Sequence, residues 1–252
     1  MSINSSKDNW FGEWFNSPYY HLLYNYRNEE EAKSFIQRLC ELEELKGNKR
    51  VLDLACGKGR HSKTLHQLGY DTSGVDLAPE SIKSAKESAS KEIHFEVMDM
   101  RKLSFQKHFD IVFNLFTSFG YFSDTADNQK VIQEVSSILH PKGLFCIDFL
   151  NADFVKSNLV AQEETFRTLE AREIKFNITR KIKEGFILKD IAFEDGEQSY
   201  HFQERVQFIQ SHDFIRWLTE FNFEIIHTFG DYLLNPFSVE QSPRFLVVAK
   251  KK

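Results

Sequence analysis

The sequence predicts an α/β fold: a parallel sheet wound with helices on both faces and carrying an inserted antiparallel β-sheet. Three observations predict it. Short apolar runs alternate with helical periodicity between residues 50 and 150. A glycine loop, Gly57-Lys-Gly59, follows the first of those runs. Period-2 alternation then replaces the helical rhythm from 160 to 209.

The elements follow in order along 252 residues, enough for one large domain with an insertion. Residues 1–9 read as a polar tail, and Trp10 to Tyr26 is dense in aromatics. Glu29 to Leu45 places Ala32, Phe35, Ile36, Leu39 and Leu42 on one helical face. Val51–Leu54 is a strand, the glycines turn the chain, and a helix runs to Leu68. Tyr70–Val75 is a second strand, and Pro79 opens a helix to about Ser90. Ile93–Val97 and Phe109–Leu115 are strands three and four. Asp127 or Asn128 caps a helix bearing Val131, Ile132, Val135 and Ile138, and His140-Pro-Lys-Gly143 is a turn. Leu144–Phe149 is nearly all apolar, as a strand covered on both faces should be. Thr165–Leu169, Arg172–Ile182, Phe186–Phe193 and Tyr200–Ile209 alternate as antiparallel strands, with turns at Gly185 and Asp195-Gly196. A helix, Ser211–Phe221, and two strands, Phe223–Phe229 and Arg244–Ala249, close the chain. The expected division is a 1–46 aromatic and helical cap, a main domain of 47–155 with 210–252, and a 156–209 insertion, serving as substrate lid or dimerisation sheet.

Composition narrows the class. The net charge of -5 argues against a general nucleic-acid binder, which needs a basic surface. Cys40, Cys56 and Cys146 are too few and too scattered for a disulfide framework or a zinc knuckle, and read as buried thiols in a reducing compartment. The first residues carry no apolar signal stretch, and no run approaches the roughly 20 residues that span a bilayer. A cytoplasmic protein is expected, without a membrane and without a metal, since the nine His are dispersed.

The chemistry sits at Asp53-Leu-Ala-Cys-Gly-Lys-Gly-Arg60, at the carboxyl end of the first strand, where open α/β sheets bind ligands. A dinucleotide fingerprint needs a third glycine where Ser62 stands. Asp53 would also repel a pyrophosphate. S-adenosylmethionine (SAM) has no phosphate, and its sulfonium and amino group are positive, so an acid beside the loop suits it. Asp76, about 20 residues further on at the end of the second strand, is placed to accept from both ribose hydroxyls. Asp99, after the third strand, is placed to accept from an adenine amino group, with Met100 against the ring.

This order of motifs resembles the class I SAM-dependent methyltransferases. The fourth-strand segment Phe109-Asp-Ile-Val-Phe-Asn-Leu-Phe-Thr-Ser118, the turn at His140 and the terminal strand pair match as well, over about residues 17–252. The likeness is to the small-molecule branch, which carries Phe-Thr-Ser-Phe-Gly-Tyr after the fourth strand (here Phe116 to Tyr121) and an antiparallel insertion after the fifth. That branch includes N-methyltransferases of amines and amino sugars. The resemblance implies a Rossmann-like seven-stranded methyltransferase sheet whose last strand runs antiparallel. It implies that Asp53, Ala55, Cys56, Gly57 and Gly59 line the methionine part of SAM, although a residue smaller than Cys56 is usual. Asp76 and Leu77 would hold the ribose, Asp99 and Met100 flank the adenine, and Asn114 and Leu115 close the pocket beneath the sulfonium. Arg27, Lys58 and Arg60 are candidates for the SAM carboxylate.

The expected activity is methyl transfer from SAM to N or O of a small-molecule acceptor, leaving S-adenosyl-L-homocysteine (SAH), by a monomer or homodimer. Alignment supplies most of the acceleration in such a displacement, so no catalytic residue is assigned. His61, Tyr121 and Glu204 are possible proton acceptors, and Tyr20 and Phe116 possible partners for a cation. The alternatives are an RNA or DNA methyltransferase, or a non-catalytic relative that binds SAM. Against the nucleic-acid reading, Asn114-Leu-Phe-Thr117 lacks the prolines of adenine-N6 enzymes, and Cys146 lies inside a strand.

Overall fold

A computed structural model describes residues 14–15, 17–24, 29–106, 108–170 and 172–252. Two helices, α1 (Pro18–Leu23) and α2 (Glu29–Cys40), precede the alternating segment. That segment runs β1 (Arg50–Leu54), α3 (Arg60–Gln67), β2 (Asp71–Asp76), α4 (Pro79–Ser88), β3 (His94–Val97), β4 (Phe109–Asn114), α5 (Thr125–Ile138) and β5 (Leu139–Leu150). After α6 (Ala152–Ser157) come β6 (Gln162–Leu169), β7 (Arg172–Lys183), β8 (Phe186–Asp195) and β9 (Gln198–Gln207), then α7 (Ser211–Glu220), β10 (Phe223–Phe229) and β11 (Arg244–Lys251).

The main sheet has seven strands in the order β10-β11-β5-β4-β1-β2-β3. β1 pairs in parallel with both β2 and β4. The chain therefore leaves β1 toward one edge and returns through β4 on the other side, which makes the β1/β4 boundary the switch point where such sheets bind ligands. β11 lies antiparallel to both β5 and β10. It is thus the one reversed strand of the seven, as the resemblance implies.

Alternation along each strand sorts the side chains into two layers. Leu52, Leu54 and Val112 face a core shared with Val131 and Val135 of α5 and Phe214 and Trp217 of α7. Val51, Ile111 and Phe113 face the opposite core, with Phe35 and Ile36 of α2 and Leu65 of α3. Leu144 to Phe149 are buried along their whole length, because both faces of β5 are covered. The three cysteines are buried free thiols.

Two local expectations are revised, and two short helices are added. The α5 cap is Asp124, whose side chain accepts from the Ala126 N–H, and Asp127 lies one turn inside. The residues His140 to Gly143 do not leave the sheet: β5 begins at Leu139, and they form an irregularity in its pairing with β4, between Phe109 and Ile111. The short helices α1 and α6 carry too few residues for a helical period to show, and each depends on its side-chain cap, Ser17 and Asn151.

β6 to β9 form a separate antiparallel sheet in sequence order. Its tight turns follow the glycines: Lys183 pairs with Phe186 around Gly185, and Asp195 with Gln198 around Gly196. Ile174, Phe176, Ile191 and Phe193 form its inner face and bury Trp14, Leu23 and Tyr24 of the N-terminal segment. The sheet is anchored to the main domain where the Gln207 N–H donates to the Gly120 carbonyl at 2.7 Å.

Candidate active site

The loop after β1 reverses direction through left-handed residues Ala55 (φ 61°), Gly57 (φ 55°) and Gly59 (φ 76°). Gly59 also starts α3, and a Cβ there would sit 2.7 Å from Cζ of Phe95 on β3, so both backbone angle and space demand glycine. At Gly57 a Cβ would meet nothing within 4 Å, so that turn of backbone is open to a ligand.

Two carboxylates organise this edge. Asp76 ties the first two loops together: one oxygen accepts from the Gly57 N–H and the other from the Ala78 N–H, both at 2.8 Å. Burial raises its carboxyl above the ordinary value, tempered by those N–H donors. Each oxygen has further acceptor capacity for a hydroxyl. Asp53 is 1% exposed and accepts from the Ser62 hydroxyl at 2.6 Å. Burial pushes its carboxyl up to about 6, with the Ser62 donors pulling back and the Asp76 charge adding to the rise. Two acids kept partly desolvated this close together favour a cation nearby.

The remaining residues of the set distribute around this edge. Cys56 packs its thiol among Ile82, Ala85, Ile93 and Phe95, behind the loop. Leu77 is exposed, and Met100 is half-buried. Asn114, fully buried, donates to the Leu54 carbonyl at 3.0 Å, and its own carbonyl oxygen has no protein partner among the described residues. Leu115 is buried in the layer of α2. Asp99 is bound by the Arg101 side chain at 2.7 and 3.1 Å and by its N–H at 2.9 Å. Burial raises the Asp99 carboxyl, but the Arg101 donors together hold it below the ordinary value. Arg27 falls outside the described residues.

One centre is absent from the sequence reading. The loop after β4 carries two consecutive left-handed non-glycine residues, Phe116 (φ 58°) and Thr117 (φ 59°), a conformation that costs about 1–3 kcal/mol at each. Asp148 of β5, wholly buried, holds them there. Its carboxylate accepts from the Phe116 N–H at 2.8 Å, from Arg244 at 2.9 Å and from the Tyr232 hydroxyl at 3.1 Å. Arg244 in turn donates to the Thr117 hydroxyl at 2.7 Å. An acid inside an otherwise apolar strand was the available signal, and Arg244 on the neighbouring strand supplies its counter-charge.

The loop so fixed presents Phe116 as the middle of a stack, 4.8 Å from His61 and 4.7 Å from Tyr232. Burial pushes the His61 imidazole down to about 3, with the Arg60 charge adding to it. It is neutral at physiological pH and a poor proton acceptor. Across the edge, Tyr121 meets Phe15 at 5.4 Å, and Phe15 meets Tyr20 at 5.0 Å. Glu204 does not stand open: it accepts from the Trp14 indole N–H at 2.7 Å and from the Tyr24 hydroxyl.

Comparison with known proteins bears on this arrangement. A family described as "Methyltransferase domain" matches residues 45–211. The glycine/sarcosine N-methyltransferase of Aphanothece halophytica is 29% identical over 232 residues, covering 89% of this chain and 83% of that protein. Among solved structures, an S-adenosylmethionine-dependent methyltransferase from Clostridium acetobutylicum superposes with a TM-score of 0.76 at 20% identity, covering 92% of this chain and 96% of that one. The sugar N-methyltransferase KedS8 from Streptoalloteichus gives 0.72 at 21% identity, covering 100% and 99%. The chain belongs to the methyltransferase domain family, and its fold is that of the class I SAM-dependent methyltransferases.

Proposed function

We propose that this enzyme methylates the nitrogen of a small amine, with SAM seated across the carboxyl ends of β1, β2, β3 and β4. The observation that carries the reading is the pair of carboxylates, Asp53 and Asp76, held partly desolvated at an open glycine turn beside the switch point. The residues fit SAM on three counts. Gly57 leaves room for close approach, the Asp76 oxygens keep acceptor capacity, and the buried Asn114 carbonyl oxygen lacks a protein partner among the described residues.

SAM, when bound, supplies an electrophilic methyl group on a positively charged sulfur. Asp76 accepts from the ribose hydroxyls beside Leu77. Asp53 sets a negative field under the loop of Ala55, Cys56, Gly57 and Gly59, which favours the amino group. Met100 packs on the adenine beside Asp99, which Arg101 keeps in place. Asn114 and Leu115 floor the pocket, and Arg27 is proposed for the carboxylate. The Phe116 stack excludes water from the centre, and the β4 loop orients the acceptor; positioning of this kind is the main source of acceleration in a displacement.

The acceptor side is assigned to the aromatic cluster Phe15, Tyr20 and Tyr121. Ring faces suit a cationic amine. The N-methyltransferases among the relatives, acting by their names on glycine, sarcosine or sugars, support nitrogen over oxygen. In this reading residues 1–46 and 156–209 are the two halves of a substrate lid on the main domain. The test is SAH release from SAM with a panel of amino acids and amino sugars set against phenols. Turnover confined to amines is expected; turnover confined to phenols overturns the nitrogen assignment, and no SAM binding in calorimetry overturns the whole reading.

A further inference from the structure

We infer that Gln207, the last residue of β9, is a positioning residue for the methyl acceptor: it clamps the carbonyls of Gly120 and Phe122, on either side of Tyr121, and so fixes that ring in the acceptor cluster. Phe15, Tyr20 and Tyr121 form the acceptor side in the function proposed above, on which this role rests.

Two donors of the one residue reach the loop after β4. The Gln207 N–H donates to the Gly120 carbonyl at 2.7 Å, and its Nε2 donates to the Phe122 carbonyl at 2.9 Å. The side-chain oxygen meanwhile accepts from Asn128 Nδ2 at 2.8 Å and from the Thr125 hydroxyl at 3.4 Å, both in α5. A flipped amide would turn its oxygen toward the Phe122 carbonyl, so the network sets its orientation. Gln207 is 5% exposed, and these bonds are made away from water.

The loop is also held by shape. Gly120 has φ 85°, and a Cβ there would sit 2.9 Å from Phe149 of β5 and 3.4 Å from Val206 of β9. The chain thus passes tightly between the main sheet and the inserted one, and Tyr121 follows at once. Packing alone does not call for an amide at 207. Val206 and Ile209 beside it are buried apolar residues of the main core. An apolar side chain of similar volume would fill the space, but the Phe122 carbonyl and the Asn128 amide would lose their bonds, which burial penalises.

The other side of the cluster is held from the same strand. Glu204 of β9 accepts from the Trp14 indole N–H at 2.7 Å and from the Tyr24 hydroxyl. The rings of Trp14 and Tyr24 lie 5.6 and 4.9 Å from that of Tyr20. Tyr20 meets Phe15 at 5.0 Å, and Phe15 meets Tyr121 at 5.4 Å. β9 therefore sets the spacing of the three acceptor rings from both ends.

The test is steady-state SAH release by the full chain at saturating SAM, with the best acceptor from a panel of amines and phenols. It compares wild type with Gln207→Leu, Gln207→Glu, Tyr121→Ala and the double variant of Gln207→Leu with Tyr121→Ala, and SAH affinity in calorimetry reports that each is folded. Gln207→Glu keeps an oxygen for Asn128 and Thr125 and loses the donor to Phe122, which isolates the clamp from the rest of the network. The acceptor KM should rise fivefold or more in both Gln207 variants, while SAH affinity stays within twofold. The double variant should be no worse than Tyr121→Ala, since a residue that acts through another does not add to its loss. A Gln207 that serves stability alone would lower Tm and leave the acceptor KM within twofold. That result, or a double variant whose losses add, overturns the positioning role and leaves the methyltransferase reading standing. Turnover confined to phenols overturns the nitrogen assignment instead, and the phenol KM then decides the role of Gln207. Wild-type protein that binds no SAH sinks the SAM reading and this role with it.

Discussion

Asp53→Asn separates the cost of the buried acid from its use. The wild-type carboxyl rises from 3.8 to about 6 because the fold strips it of water. At about 1.4 kcal/mol per tenfold change in an equilibrium constant, that rise corresponds to about 3 kcal/mol. The sign follows from the direction. A raised folded value means that the stabilising contribution is fully present below 3.8, where both states are protonated, and is lost as pH rises through about 6. The Asn variant keeps an oxygen for the Ser62 hydroxyl but cannot ionise. Its new buried amide carries a pH-independent cost of about 1–3 kcal/mol, so the quantity to read is a change with pH, not a single value. Without ligand, wild type should lose about 3 kcal/mol relative to Asp53→Asn between pH 4 and pH 7.5, measured by urea unfolding at several pH values. SAH affinity should move the opposite way, with the variant binding more weakly at pH 7.5 and losing the wild type's gain in affinity between pH 5 and pH 7. A stability difference that stays flat across this window refutes the claim that Asp53 is held against its own solvation for a cation.

Asp76→Ala removes the proposed acceptors for two ribose hydroxyls and the observed ones for the Gly57 and Ala78 N–H groups, so SAH affinity should fall by about 100-fold in calorimetry, from charge-assisted bonds of about 1.5–3 kcal/mol each. An effect below threefold would remove Asp76 from the ribose assignment. Asp148→Ala takes from Arg244, 19% exposed, its buried partner, at a cost of about 3–5 kcal/mol. In a chain of this size that is a fall on the order of 10 °C in Tm by calorimetric scan. His61→Phe should keep the ring stack on Phe116 and leave the pH–rate profile unchanged, because the wild-type imidazole is pushed down to about 3. A lowered folded value stabilises above 6.5 and loses that contribution as pH falls toward 3, so the variant's Tm should decline less than wild type's between pH 7 and pH 5.

Features set by local periodicity were legible in the sequence. The apolar β1 run, the glycine turn after it and the acids at the ends of β1 and β2 each lie within a few residues of the rule that reveals them, and the sheet brings them to one edge. The Asp148 centre was not legible, because its partners Phe116, Tyr232 and Arg244 come from 32, 84 and 96 residues away in sequence. No pattern within β5 names them, and the strain they support at Phe116 and Thr117 falls on residues with no turn signature of their own.

Asp99 shows where the local rules mislead. An acid after the third strand is the expected adenine contact, and the Met98 N–H beside it donates to the Asp76 carbonyl at 3.0 Å. Yet Arg101, two residues on, donates to both of its oxygens through side chain and backbone, and reaches Asp127 of α5 at 2.8 Å as well. A carboxylate has about four acceptor positions, and Arg101 takes up nearly all of them. An adenine amino group could then be read by Asp99 only if Arg101 gave way. The sign of a side chain is legible from sequence, but its remaining acceptor capacity depends on which neighbours reach it first. At Asp76 those neighbours are two backbone N–H groups that leave room for hydroxyls, and at Asp99 they are a guanidinium that leaves almost none.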